Sequence, residues 1–103
     1  MSDALRLLAS YEVDVQFPDV SGFEILEMLD IRSRMAACEN DLNDEQRARL
    51  EAADDRLLRS APAFFQSVAA IADLPEMRRR SRTPCSHWWW YLERLAEREP
   101  VQT

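Results

Sequence analysis

The chain has 103 residues, of which 47% are hydrophobic and 31% charged, with a formal net charge of −6 and one glycine. This is enough for one domain with a modest core. It is too apolar for a disordered chain and too poor in glycine for the turns of a sheet-rich fold. The acidic balance disfavours a polyanion and favours a basic protein as partner. The imbalance is uneven: residues 1–46 hold eleven acids and three arginines, residues 74–103 four acids and six arginines. No early segment combines a charged start, an apolar run and a small-residue cleavage site, and no run is long enough to span a bilayer, so a cytoplasmic location away from membranes is expected. In that setting Cys38 and Cys85, which fit no metal spacing, read as reduced thiols.

Prolines at 18, 62, 75, 84 and 100 cut the sequence into pieces of helical length. The pattern predicts a mainly α fold: a compact bundle of four to five helices built on a helical hairpin, forming a single domain over 1–103. A first short helix is expected over 3–10. In "YEVDVQF", Tyr11, Val13, Val15 and Phe17 then alternate with Glu12, Asp14 and Gln16, which is the period of a strand. No second strand follows. The segment is therefore expected to pair with a twin or a partner's sheet, or to lie on the helices as an extended arm, making residues 1–20 a partner-dependent N-terminal arm. The competing reading is a helical continuation of the first segment. If extended, the arm is a poor reader of DNA, because phosphates would repel its polar face of Glu12, Asp14 and Gln16.

The hairpin is predicted from Gly22 or Phe23 to Glu39 and from Asp44 to about Ser60. Ser21 or Asp19 caps the first helix, and Asn43 with Gln46 forms a capping box for the second. Arg32 falls within the apolar series Ile25, Leu29, Ala36, and Asp54 within Leu50, Leu57, Ala61. Folding the hairpin about residues 41 and 42 brings Arg32 and Asp54 within one helical turn, so they are expected to form a partly buried ion pair that fixes register. After Pro62, Phe64, Phe65, Val68, Ile71 and Leu74 give a wide apolar surface, expected of the most buried helix. Asp73, Pro75 and Glu76 start another helix into "PEMRRRSR".

A last helix is expected from Ser86 or His87 to about Glu99, with residues 100–103 a flexible tail. On it Trp88 belongs to the core face, Trp89 to its flank, and Trp90 points the opposite way, among Glu93, Arg94 and Glu97. Trp90 is thus the surplus side chain of the triplet, available to stack on Arg94 or to anchor an interface. Arg78, Arg79, Arg80 and Arg82 precede it, and arginines beside tryptophans suit phosphate contact with base stacking. The acidic total instead favours pairing with the chain's own carboxylates.

Cys85, Ser86 and His87 are sequence neighbours and point about 100° apart on a helix, so they do not assemble a nucleophile and base. No cofactor or metal site is indicated. The expected function is a non-enzymatic protein–protein interaction module, most sharply a small acidic antitoxin or immunity-type inhibitor of a basic protein. Its expected contact residues are Trp89, Trp90, Arg94, Arg78, Arg79, Arg80 and Arg82, with Tyr11, Val13, Val15 and Phe17 on the arm. The alternatives are a nucleic-acid-binding or regulatory protein that uses Arg78–Arg82 with the tryptophans, and a structural homodimer.

Overall fold

Caps and prolines set the element boundaries. The computed structural model describes residues 3–97, within which six α-helices form: α1 Asp3–Asp14, α2 Gly22–Ala37, α3 Asp44–Arg59, α4 Ala61–Ala69, α5 Leu74–Ser81 and α6 Leu92–Glu97. Single 3-10 turns at Glu39–Asp41 and Trp88–Trp90 precede α3 and α6. The fold is thus mainly α, as the pattern predicts. The tail at 100–103 and the expected helix end at Glu99 lie outside the described residues.

The strand expected over residues 11–17 is not formed. Helix α1 continues through Tyr11 to Asp14, and turn hydrogen bonds carry the chain on to Phe17. The alternation misleads because its members satisfy two periods at once. Tyr11 and Val15 are four residues apart and buried, extending the series Ala4, Leu8, Tyr11, Val15 along one helical face. Val13 and Phe17, also four apart, are about half exposed at 53% and 50%. The first helix is therefore part of the core rather than a detachable arm, and it packs on α2 and α3.

Ser21 caps α2 by accepting from the Glu24 amide at 3.3 Å. Gly22 follows because α4 is close: a Cβ there would lie 2.4 Å from the Ser67 carbonyl oxygen and 2.6 Å from Ile71 Cγ1. Ser67 also donates to the Pro18 carbonyl at 3.0 Å, so α4 buttresses the α1–α2 connection from both sides. At the other end of the hairpin, the Gln46 amide donates to Asn43 Oδ1 at 2.8 Å and the Asn43 amide to Gln46 Oε1 at 3.0 Å, a complete capping box for α3.

Helix α4 buries Ala61, Phe64 and Val68 and packs on α2 and α6. It ends before Ile71, which is 41% exposed, and Leu74 is buried at the start of the next helix. Asp73 caps α5 through the Glu76 amide at 3.2 Å. That helix closes on Arg82 in the left-handed region (φ 54°, ψ 45°) while the Thr83 amide returns to the Arg78 carbonyl. Glycine is the usual residue in such a closure; arginine there costs roughly 1–2 kcal/mol.

Candidate functional site

Arg32 and Asp54 meet in the helical hairpin. Arg32 Nε and Nη2 donate to Asp54 Oδ1 and Oδ2, both at 3.0 Å. Arg32 is 4% exposed, and Tyr11 completes the group by donating its hydroxyl to Asp54 Oδ1 at 2.6 Å. Burial, then the Asp54 charge and hydrogen bond, push the Tyr11 phenol far above its ordinary range. Burial alone would lower Arg32, but its hydrogen bonds and attraction to Asp54 prevail and hold it above. Nη1 of Arg32 makes no hydrogen bond among the described residues and has Glu39 at 3.8 Å. The Asp54 carboxylate of α3 thus holds α1 through Tyr11 and α2 through Arg32.

The guanidinium also lies over the Trp89 ring, 4.2 Å from its centroid, which couples this pair to the tryptophan turn. A 3-10 turn advances about 120° per residue, so the three side chains leave the backbone in different directions, yet two of the indoles converge on one hydroxyl. Trp89 is buried at 2% exposure, while Trp88 and Trp90 are partly buried. Indole Nε1 of Trp89 and of Trp90 both donate to Ser33 Oγ, at 2.9 and 2.8 Å. The outward Trp90 expected from a helix starting at Ser86 or His87 is therefore corrected: the α-helix begins only at Leu92, and the 3-10 turn before it brings this indole back onto α2.

Ser33 Oγ also lies 3.1 Å from His87 Nδ1, and His87 stacks on Trp89. Indole nitrogens only donate, so they occupy both acceptor positions of the hydroxyl, whose own proton goes to Nδ1. With both lone pairs taken, this oxygen has none left for attack on a substrate. The Ser33–His87 pair is a joint that seats the tryptophan turn. Nothing in the sequence spacing pointed to Ser33.

The arginines divide. Arg78 is held inside the fold: it forks onto Glu93 at 2.9 and 2.7 Å, donates to the Trp90 carbonyl at 2.9 Å, and lies 4.1 Å above the centre of the Tyr91 ring. Burial alone would raise Glu93, yet hydrogen bonds from Arg78 hold its carboxyl below the usual range. Arg79 and Arg80 are exposed and pair with Glu76; Arg82 is exposed; Arg94 is exposed near Tyr91 and Glu93. The exposed cations are thus separated from Trp89, whose face is covered from within.

A different surface remains unsatisfied. Of the five exposed large hydrophobic side chains among the described residues, Val13, Phe17 and Phe23 fall around the α1–α2 connection. The sequence has no basic residue between Arg6 and Arg32, while Asp14, Asp19, Glu24 and Glu27 all lie in that interval. Val13, Phe17 and Val20, with the buried Ile25 and Met28, line a crevice of about 220 Å³ that Asp14 and Glu24 also reach. Among the described residues none of Asp14, Glu24 and Glu27 has a basic partner; Glu24 accepts only from the Ser21 hydroxyl. Asp14 also occupies the last turn of α1, where the helix dipole disfavours a negative charge. Its carboxyl is pushed above the usual range by burial, then by the charges of Glu27 and Glu24.

Among the described residues no His, Cys, Asp and Glu side chains form a group that could hold a metal ion, and no helix is long and apolar enough to cross a membrane. Both cysteines are free. A scan against protein-family models finds no match, and neither curated proteins nor solved structures give one.

Proposed function

We propose that the protein is a non-enzymatic module that binds a basic protein, in the manner of a small acidic antitoxin or immunity-type inhibitor acting in the cytoplasm. The observation that carries this reading is the α1–α2 end, where half-exposed apolar side chains lie beside carboxylates that lack basic partners among the described residues. Uncompensated charge of one sign speeds encounter with the opposite sign, and apolar area beside it supplies holding energy. The contact surface of this proposal therefore keeps the expected Val13 and Phe17, sets aside the tryptophan turn and the buried Tyr11 and Val15, and extends to residue 27.

The test is capture by the immobilised protein from the extract of its own host, with the retained species identified. A basic protein held at low salt and released as ionic strength rises is the expected result. Retention of nucleic acid alone, abolished by changing Arg79, Arg80, Arg82 and Arg94 to glutamine, would replace this reading with the phosphate-binding alternative. Self-association in a light-scattering concentration series, with no other partner retained, would replace it with the homodimer.

A further inference from the structure

The crevice at the α1–α2 end has a defined chemistry. It is lined by Val13, Phe17 and Val20, by the buried pair Ile25 and Met28, and by two acids, Asp14 and Glu24. At about 220 Å³ it is too small for a helix and has room for one long side chain. An apolar lining of this kind suits a chain of methylenes, and two acids within it suit a cation at the end of that chain. An entirely apolar side chain would leave the two carboxylates partly desolvated without a counter-charge. An acidic one would be repelled by them.

We propose that this crevice receives an arginine side chain from the basic partner, with the methylenes against Val13, Val20 and Met28 and the guanidinium between Asp14 and Glu24. Arginine suits it better than lysine, because a planar fork can engage carboxylate oxygens in pairs and stack on the half-exposed Phe17 ring, while losing weaker hydration. The fold holds the receptor ready: Ser67 on the Pro18 carbonyl and Gly22 against α4 fix the connection that carries Phe17 and Val20. The raised Asp14 carboxyl agrees with this, since a cation would relieve the repulsion from Glu24 and Glu27.

The assignment rests on the protein-binding reading above but is tested separately, by following the methyl and aromatic resonances of the full chain while adding N-acetyl-argininamide. Saturable shifts confined to Val13, Phe17, Val20 and Met28 are expected, with a Kd on the order of 1–10 mM for so small a ligand. N-acetyl-citrullinamide, of the same shape without the charge, and the Asp14→Asn and Glu24→Gln variants should each bind roughly fivefold more weakly, the contribution of a partly exposed charge pair. Equal shifts with citrulline, tighter binding of the lysine amide, shifts spread over the surface, or none at all would overturn the proposal. Sedimentation showing two copies joined through Val13 and Phe17 would also overturn it. If a captured basic protein survives Asp14→Asn with Glu24→Gln, the arginine pocket fails and the protein-binding reading stands. If the amide binds as described and no basic protein is captured, the reverse holds.

Discussion

The tryptophan turn and the α1–α2 end both gather aromatic and charged side chains, yet they differ in how their polar atoms are partnered. At the turn, two indoles share Ser33, Arg78 is spent on Glu93 and Tyr91, and Arg32 lies between Asp54 and Trp89. At the α1–α2 end, Asp14, Glu24 and Glu27 have no basic partner among the described residues and lie near half-exposed apolar groups. Residue type alone, which favours tryptophan and arginine as interface residues, thus points to the end of the molecule where those side chains already partner one another. Pairing, rather than residue type, is what separates the two clusters.

The contrast breaks first, and most severely, at Asp54. Asp54→Ala leaves Arg32 buried without its counter-charge and Tyr11 without its acceptor, and should destabilise the fold by about 3–5 kcal/mol in denaturant unfolding. Replacing Arg32 by Met, Asp54 by Leu and Tyr11 by Phe together should cost far less than the charge-stranding change alone, because the loss comes mainly from the partners left behind. Next is Glu93→Gln, which weakens the Arg78 fork and should cost about 1.5–3 kcal/mol. Its effect carries a pH signature. The folded values of Glu93 and Glu12 lie below the ordinary carboxylate range, the latter through the hydrogen bond from Arg49. Their contribution is present above the unfolded value of about 4.3 and disappears as pH falls through the lower folded values.

Ser33→Ala should cost about 1–3 kcal/mol by stranding indole donors. Tryptophan emission should shift to the red as Trp90 turns to water. The smallest expected effect has the opposite sign. Asp14→Asn should stabilise the protein at neutral pH by less than about 1 kcal/mol. A raised folded value means that the ionised form is disfavoured by folding, so the gap from wild type should open as pH climbs from below the unfolded value of about 3.9 toward neutrality. A stability series across that range checks it; a destabilised Asp14→Asn at neutral pH would show that this carboxylate is satisfied within the chain.

Much of the fold was legible from local chemistry. Ser21, the Asn43–Gln46 box and Asp73 mark helix starts because a short polar side chain reaches exposed amides there whatever the tertiary context. The Arg32–Asp54 pair was legible because each interrupts an apolar series at matching depth in the hairpin. The strand over 11–17 was misread because Tyr11, Val13, Val15 and Phe17 fit both periods, and only packing on α2 and α3 decides which pair is buried. The placement of Trp90 was misread because wheel geometry presumes an unbroken helix, whereas its direction depends on Ser33, fifty-seven residues away. The crevice could not be read from one segment, since its lining spans α1, the connection and α2. The absence of any basic residue between Arg6 and Arg32 was the available signal.

The most direct measurement compares two charge-altered proteins for capture of the basic partner from host extract. One carries Asp14→Asn, Glu24→Gln and Glu27→Gln; the other carries Arg79→Gln, Arg80→Gln and Arg82→Gln. Loss of the partner in the first with retention in the second is the predicted result. Retention in the first with loss in the second would return recognition to the arginine face and contradict the account.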